Sequence, residues 1–353
     1  MLSAGTDVWR LQQCVQPAEG CDSNVFAGLL MINAPAVVCA WILDALLGDP
    51  ERWPHPVQLI GCGIRAAESW SRKRFRNLRA AGVLLGLLVP LAAFVLTAAL
   101  VGLSCRAGSV LGLIAASVLI YACLATRCLS SEALAVHDLL RSGDVVHARR
   151  QLARIVGRDT HELDPAAIVR ATVESVAEST VDGILAPLFY ACVGGAPLAM
   201  LYKAVNTLDS MVGYNNERYR ELGWFSARLD DAANFIPARC SLMLVPLACL
   251  FIMPGRALPS LATGIRDCRK SPSPNAGFPE ACFAGALGLQ LGGPCAYQGV
   301  ASHKPAIGPG EREGRADDIR RAVRLMWCVS ALGLGIFVGG GLGAARLLAY
   351  ILG

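Results

Sequence analysis

The stretch DPAAIVRATVESVAESTVDG (164–183) decides how this chain folds. Asp164 is followed by proline, which predicts a helix start because an N-cap acceptor precedes proline at the first helical position. A helix from there places Arg170, Glu174 and Glu178 four residues apart on one face. Two glutamates at this spacing repel each other by roughly 0.2–0.5 kcal/mol unless a cation lies between them. The helix therefore either binds a cation or presents a solvated face with an Arg170–Glu174 pair.

An apolar segment, ILAPLFYACVGGAPLAMLYKAV (184–205), follows this helix directly. The whole chain has the composition of a membrane protein: of its 353 residues 54% are hydrophobic and 17% charged, whereas soluble domains carry about 25% charged residues. The net charge is a modest +5, and no nucleic-acid motif and no CxxC pair is present, so nucleic acid, a disulfide framework and a zinc site are not expected. An acidic helix at the mouth of a membrane segment suggests a metal-phosphate site at the membrane surface.

Stretches of about 20 apolar residues are long enough to span a bilayer. Two other apolar stretches, 183–205 and 236–254, are interrupted by glycine or proline, and each could either span or be re-entrant. We therefore predict an all-α, polytopic helical membrane protein with about 4–6 membrane segments. The clear spans are 27–47, 80–104, 107–126 and 322–352.

Clusters of arginine and lysine orient the chain, because such clusters favour the cytoplasmic side. They place the connections 65–79, 127–182 and 255–321 in the cytoplasm. The side of 206–235 stays open, since it depends on whether 183–205 spans. The arginine-rich connection is predicted as helices at 130–141, 144–157 and 165–181, with Ser130 or Ser131 and Asp144 as N-caps.

We expect two parts along the chain. Residues 1–30 are predicted as a poorly ordered N-terminal extension, with Met31 a candidate start codon. Residues 31–353 are predicted as a single membrane domain with 127–182 as its polar helical insertion.

Three further polar clusters interrupt the apolar chain. The first, 44–56, begins with Asp44, a costly carboxylate near the end of a membrane helix. The second, 203–239, combines carboxylates and amides, which are ligands for Mg²⁺, with an arginine that could grip phosphate. The third, 266–293, could offer hydroxyl and amide groups to an anion. Simple helix termination, a capped loop and a proline-rich surface loop are the respective alternatives.

These clusters, in this order, resemble the CobD/CbiB family of cobalamin-biosynthesis proteins, the adenosylcobinamide-phosphate synthases. The resemblance covers roughly residues 31–350. The matching segments are DALLGDPERWPHPVQLIG (44–61), GRDTHELDPAAIVRATVESVAESTVDGILAPLFY (157–190), YKAVNTLDSMVGYNNERY (202–219), RLDDAANFIPARCS (228–241) and SPSPNAGFPEA (271–281).

The resemblance implies a carbon–nitrogen ligase of the bacterial inner membrane, dependent on ATP and Mg²⁺, with its site facing the cytoplasm. The free propionate of adenosylcobyric acid would be joined to (R)-1-aminopropan-2-ol or its O-phosphate, giving adenosylcobinamide or its phosphate. The expected partners are these substrates, ATP, the lipid bilayer and other late cobalamin-pathway enzymes. A membrane transporter and a non-catalytic scaffold for those enzymes are the alternatives.

The polar clusters supply the candidate site residues for this chemistry. The candidates for catalysis are Glu174, Glu178, Asp182 and Asp209, and those for the metal are Glu174, Glu178, Asp209 and Asp230. The candidates for substrate or phosphate are Asp49, His55, Lys203, Asn206, Tyr214, Asn215, Arg239, Ser271, Asn275 and Lys304.

Overall fold

The computed structural model describes the backbone of residues 23–49, 56–214, 216–297 and 299–352, and within these ranges the side chains of 33–343. This part of the chain forms α-helices and one two-stranded sheet. The elements are α1 (Ser23–Leu47), α2 (Pro56–Arg74), α3 (Leu78–Ala107), α4 (Ser109–Tyr121), α5 (Thr126–Arg141), α6 (Val145–Leu152), α7 (Pro165–Thr180), α8 (Ala186–Val212), α9 (Trp224–Ala233), α10 (Phe235–Ile252), α11 (Ala257–Asp267), α12 (Gly277–Leu287), β1 (Leu291–Tyr297), β2 (Val300–Ile307) and α13 (Ala316–Leu352).

Long apolar helices dominate the fold, which confirms the predicted polytopic helical membrane protein. Within the described ranges, five helical stretches are long and apolar enough to cross a membrane, and Asn33–Leu47 is a shorter apolar helix. The five are Leu78–Ala107, Ser109–Arg141, Pro165–Val212, Phe235–Ile252 and Ala316–Gly343.

The membrane helices pack through small residues and aromatic contacts. α3 and α4 form a tight hairpin around Gly108, where Gly112 lies against Cys105. α1 packs along α13, where the Trp41 and Trp327 rings meet edge to face with centroids 6.3 Å apart. The Trp41 indole N–H also donates to the Ser330 hydroxyl at 2.8 Å, so this contact between α1 and α13 is both apolar and hydrogen-bonded.

α8 is two helical arms that double back on each other at Gly194–Gly195. In a continuous helix, Asp182 and Tyr202 would lie about 30 Å apart, since the rise is about 1.5 Å per residue. Instead the Tyr202 hydroxyl donates to the Asp182 carbonyl at 3.0 Å. Gly195 has φ +65°, which favours glycine. The segment 183–205 is therefore re-entrant, and 206–235 returns to the face that carries α7.

α10 packs against α11 and α12, and polar contacts tie both of its ends to the chain that follows it. Near its first turn, the Arg239 guanidinium donates to the Asn275 side-chain oxygen at 3.1 Å. Just beyond its last turn, Arg256 donates to the Gly285 carbonyl at 2.7 Å and pairs with Glu311. The start of α10 and the residues just after its end are thus held by groups of the segment 268–311.

The polar insertion contains the three predicted helices with one wrong start. Asp164 caps α7 by accepting from the Ala167 N–H at 2.6 Å, and Asp144 caps α6. The first helix begins at Thr126 rather than after Ser130 or Ser131, because its cap comes from elsewhere in the chain. The Asp44 carboxylate accepts the Thr126 N–H at 3.1 Å. This buried contact gives the intramembrane carboxylate a structural partner.

A β-hairpin was absent from the all-α prediction. β1 and β2 pair antiparallel with a register shift between Leu291 and Gly293. The hairpin is tied to the helices at two points: the Gly292 N–H donates to Glu174 at 2.6 Å, and the Gly308 N–H donates to Asp267 at 2.9 Å. Helical contacts thus fix a strand pair that is too short to be stable alone.

Candidate active site

A change of helix type presents Asp182 at the centre of the molecule. After α7 the chain makes one π-helical turn, Val181–Leu185, before α8 begins. Such wide turns inside α-helices are frequent at functional sites. The turn releases the Gly183 carbonyl from helical bonding, and the Ala125 N–H donates to it at 3.0 Å. Asp182 consequently lines the same cavity as Glu178, which precedes it by about one helical turn.

The second arm of α8 brings a further set of polar side chains to the same level. Lys203, Asn206 and Asp209 follow each other at intervals of three residues, so they share one face of the arm. Lys203 lies within electrostatic range of Asp182. The fold back at Gly194–Gly195 is what places these residues beside the end of α7.

α9 contributes two adjacent carboxylates, Asp230 and Asp231. Asp230 is held by two amides: Asn234 donates to one of its oxygens at 3.0 Å and Asn206 to the other at 3.4 Å. Burial first, and then the neighbouring charge of Asp209, raise the pKa of Asp230 to about 7 against the lowering effect of the two amides. Asp230 can therefore exchange a proton near neutral pH.

The segment before α12 closes the site on another side. The Asn275 side-chain N–H donates to the Asp231 carbonyl at 2.7 Å, while its oxygen accepts from Arg239 at 3.1 Å. The Ser273 hydroxyl accepts from the Asn275 N–H at 3.3 Å. The Arg239 guanidinium lies over the Phe278 ring, 4.6 Å from its centroid. These contacts order the loop and leave Ser273 on the wall of the site.

Together these elements enclose what we call the acidic cavity, about 200 Å³ in volume. Its wall carries five carboxylates and no basic side chain among the residues described there. Carboxylates so placed either take up protons or require a cation among them. The lining residues are Glu178, Val181, Asp182, Asp209, Ala227, Asp230, Asp231, Asn234, Ser273, Asn275, Ala276 and Pro279.

Glu174 belongs to a separate group, the ion cluster, formed with Arg158, Glu280 and Lys304. The buried Glu174 carboxylate pairs with the Arg158 guanidinium and lies 3.7 Å from the Lys304 ammonium. Burial and then the charge of Glu178 raise the pKa of Glu280 to about 8, although Lys304 opposes this shift. The ion cluster thus contacts the acidic cavity through Glu178 but does not line it.

Two predicted substrate residues face a larger neighbouring cavity of about 700 Å³, which we call the outer cavity. Lys203 and Asp49 line it together with Arg127, Glu132 and Arg154. Lys203 therefore lines the outer cavity, and its charge also acts on Asp182 in the wall of the acidic cavity.

The remaining substrate candidates lie elsewhere. Tyr214 lines a groove between α2 and the end of α8. Ser271 is not among the residues that line the acidic cavity, where Ser273 takes the place expected for it. His55 and Asn215 lie outside the described residues.

Comparison with known proteins identifies the family that carries these residues. A family profile described as CobD/Cbib protein matches residues 37–326. The chain belongs to the CobD/CbiB family. No solved structure matches the chain.

The match between this chain and its relatives in the family extends over nearly the whole length of each relative. The chain is 48% identical to the "Cobalamin biosynthesis protein CobD" of Klebsiella pneumoniae over 303 residues, which cover 85% of this chain and 95% of the relative. It is 46% identical to the protein of that name from Citrobacter koseri, over 85% of this chain and 94% of the relative. It is also 46% identical to the "Cobalamin biosynthesis protein CbiB" of Salmonella choleraesuis, over 87% and 97%.

In this CobD/CbiB chain the donor chemistry of the acidic cavity fits Mg²⁺. Among the described residues, no three His, Cys, Asp or Glu side chains already converge on one metal position. Mg²⁺ does not require such a cage, since it usually keeps several waters and takes one or two carboxylates plus substrate phosphate. Glu178, Asp209 and Asp230 line the cavity and fit this role. Glu174 does not line it, because its oxygens are taken by Arg158 and Gly292.

Several residues of this CobD/CbiB site were not among the sequence candidates. Arg158 and Glu280 complete the ion cluster, and Asn234 orients Asp230. Arg158 lies on the loop before α7, which gives no periodic signal. Glu280 sits inside the matched SPSPNAGFPEA segment, and Asn234 follows Asp230 by four residues on a helix, so spacing could have found both.

Proposed function

We propose that this protein is an enzyme of cobalamin biosynthesis that forms an amide bond. It would join the free propionate of adenosylcobyric acid to (R)-1-aminopropan-2-ol or its O-phosphate, with ATP as co-substrate. Membership of the CobD/CbiB family supports the pathway. The observation that carries the reaction class is the acidic cavity, whose five carboxylates lie beside the ion cluster and the outer cavity.

The reaction requires that a poor acyl donor be activated. A propionate oxygen attacks the γ-phosphorus of ATP, ADP leaves, and an acyl phosphate forms. The amine nitrogen then attacks the acyl carbon, inorganic phosphate leaves, and the amine gives up a proton to a side chain. Both steps place negative charge on phosphoryl oxygens and the second needs a base.

The carboxylates of the acidic cavity serve these needs in two ways. Asp209 and Asp230, with Glu178 beside them, would hold Mg²⁺, which when bound would neutralise phosphoryl charge. Asp182 would accept the amine proton, since it faces the same space from the π-helical turn. A general base that accepts a proton in this way contributes about 10²–10⁴-fold to the rate.

Basic and amide groups around the cavity would position the substrates. Lys203 lines the outer cavity within electrostatic range of Asp182, and Lys304 lies within electrostatic range of Glu178. These ammonium groups would bind phosphoryl oxygens, while Ser273 and Asn275 would orient the amine substrate. The outer cavity, at about 700 Å³, has room for a substrate larger than the acidic cavity can hold.

We place the site on the cytoplasmic face of the bacterial inner membrane. The last turn of α2 carries Arg72, Lys73 and Arg74, and this basic helix end packs beside the end of α8. Arginine-rich connections favour the cytoplasm. ATP is available on that side.

Purified full-length protein in detergent tests this proposal directly. It is incubated with adenosylcobyric acid, aminopropanol O-phosphate and Mg²⁺, with and without ATP, and the products are read by mass spectrometry. We expect the amide product only when ATP is present, with one ADP released per amide. Free aminopropanol in place of its phosphate shows which amine is preferred.

Two outcomes of this experiment contradict the proposal. A folded protein that forms no amide under any condition supports the scaffold alternative if it retains soluble corrin-pathway enzymes. Corrinoid uptake into proteoliposomes without amide formation supports the transporter alternative.

A further inference from the structure

A third cavity lies beside α2 and the end of α8, and we call it the basic groove. It has a volume of about 740 Å³ and runs between α2 and the end of α8. Four basic side chains line it against one acid, which gives it a net charge opposite to that of the acidic cavity. The lining residues are Arg65, Glu68, Ser69, Arg72, Lys73, Ser210, Met211, Tyr214, Arg218 and Tyr219.

Two of its guanidinium groups are held in place before any ligand binds. The buried Glu68 carboxylate accepts from Arg72 at 2.9 Å and from Arg218 at 3.1 Å. Arg72 also donates to the Arg218 carbonyl at 2.8 Å, and both guanidinium groups lie 5.1–5.4 Å from the centre of the Tyr219 ring. Burial would raise the pKa of Glu68, but the hydrogen bonds from the two arginines outweigh it and keep the carboxylate charged.

The other polar side chains of the groove are exposed, and the carboxylate of Glu68 does not neutralise their positive charges. Arg65 and Lys73 line the groove without contacting Glu68, and Arg65 donates only to the Cys62 sulfur among the bonds described for it. The hydroxyls of Ser69 and Tyr214 add donors, whereas the Ser210 hydroxyl donates to the Asn206 carbonyl at 2.8 Å. Several preorganised N–H and O–H donors around excess positive charge are what a phosphate group requires.

The groove also lies where the chain enters the membrane. Asn77 caps α3, one of the candidate spans, only four residues after Lys73. α2 packs inward through Ile64, which is fully buried against Leu85, Leu208 and Val212. Its outer side exposes Leu59 and Trp70, and tryptophan is enriched at membrane–water interfaces. A helix with an apolar outer side and a basic end lies in the plane of the interface.

We propose that the basic groove is a binding site for a phosphate-bearing anion, separate from the site of amide formation. The clamped pair of Arg72 and Arg218 orients the phosphate oxygens, and Arg65 with Lys73 supplies further charge. The phosphate can belong to an anionic lipid headgroup or to a soluble ion, because the recognition chemistry is the same. This inference does not depend on the proposed reaction.

A charge-matched pair of double variants tests the site. Arg65→Gln with Lys73→Gln removes two charges from the groove, and Arg74→Gln with Arg76→Gln removes two exposed charges from the same basic stretch outside it. Purified protein in detergent is titrated with phosphatidylglycerol and phosphatidylcholine, read by native mass spectrometry, and with inorganic phosphate, read by equilibrium dialysis. We expect the groove variant to weaken anion binding about thirtyfold and the control by less than about twofold.

The titrations also separate the two sources of phosphate. Selective retention of phosphatidylglycerol that inorganic phosphate does not displace assigns the groove to lipid, and saturable binding of inorganic phosphate assigns it to a soluble ion. The proposal is overturned if neither anion binds, or if both double variants weaken binding equally. Arg65→Lys with Lys73→Arg keeps the charge and should retain binding, and thermal unfolding verifies that each variant is folded.

Discussion

Two glutamates one turn apart on α7 occupy different environments. Glu174 is buried in the ion cluster, where it binds Arg158, Lys304 and the Gly292 N–H. Glu178 faces the acidic cavity. Equal spacing in sequence therefore conceals two roles that substitution can separate.

We predict that Glu178→Gln abolishes turnover while the protein stays folded, with a loss of about 10²-fold or more. Glu174→Gln instead lowers the free energy of unfolding by about 3–5 kcal/mol, since it leaves the Arg158 charge buried without its partner. Amide formation and thermal unfolding, both measured in detergent, distinguish the two. Glu162→Gln, an exposed site in the same insertion, is the control and should change neither. Full activity of the Glu178 variant removes that residue from the mechanism.

The raised pKa of Asp230 makes the stability of the protein depend on pH. This pKa is raised to about 7, by burial first and then by Asp209, so the folded state binds a proton that the unfolded state releases near pH 4. The contribution to stability is therefore full below about pH 4 and is lost as the pH rises through about 7.

We expect Mg²⁺ to raise the unfolding temperature more at pH 8 than at pH 5, because the metal competes with protons for the same carboxylates. Asp230→Asn should remove most of this pH dependence. Thermal unfolding of the detergent-solubilised protein across pH, with Mg²⁺ or with EDTA, checks both statements. An equal effect of Mg²⁺ at the two pH values contradicts the assignment.

Some elements could be predicted from sequence because their signals are local. The Asp164–Pro165 pair marks the start of α7, and Asp144, the N-cap of α6, directly precedes that helix. The start of α5 could not be found this way, since its N–H bond goes to Asp44, 82 residues away. β1 and β2 were missed because β1 contains two glycines and a proline and β2 contains a proline, which weaken a strand signal. Contacts to α7 and α11 hold the hairpin instead.

The re-entrant form of α8 shows the same limit. Gly194 and Gly195 announce a break, but a break alone does not tell whether the chain continues or turns back. The return is settled by tertiary contacts, in which the Tyr190 and Tyr202 rings stack with centroids 5.1 Å apart. The sequence could therefore nominate four of the five carboxylates of the acidic cavity, all except Asp231, but not show that Asp209 would face Asp182.

We predict that Gly195→Ala destabilises the arm-to-arm turn. Its φ is +65°, and an added Cβ would lie 2.6 Å from the Asn33 side-chain oxygen. A residue forced into this conformation costs about 1–3 kcal/mol. The unfolding temperature should fall, and the rate of amide formation should fall with it. Gly102→Ala, in α3 where an added Cβ meets nothing within 4 Å, is the control and should leave both unchanged. An unaffected Gly195 variant contradicts the turn as described.

On the scale of the whole molecule, the polar groups gather on one face. The acidic cavity, the ion cluster, the outer cavity and the basic groove all lie at the same end of the membrane helices. The turn between α3 and α4 lies at the other end. The arginine-rich connections could be assigned to this face from sequence, whereas the side of 206–235 required the fold of α8.

We predict that native cysteines report this arrangement. Cys62 lies on α2 and Cys105 at the α3–α4 turn, and both are exposed. In intact spheroplasts, a membrane-impermeant maleimide should label Cys105 but not Cys62 when each is the single cysteine of an otherwise cysteine-free protein. Permeabilised cells, in which both should react, provide the control. Labelling of Cys62 in intact spheroplasts would show that the protein has the opposite orientation in the membrane.

The doubling back of α8 also bears on energy coupling. Because the first arm starts and the second arm ends at the same face, we expect no carboxylate of the acidic cavity to be carried across the bilayer during a reaction cycle. A charge gains energy from the transmembrane voltage only by moving through it, at about 2.3 kcal/mol per 100 mV. Amide formation in proteoliposomes should therefore proceed at the same rate with and without a valinomycin-induced potassium potential, and a rate that follows the potential would mean that charge crosses the membrane during turnover.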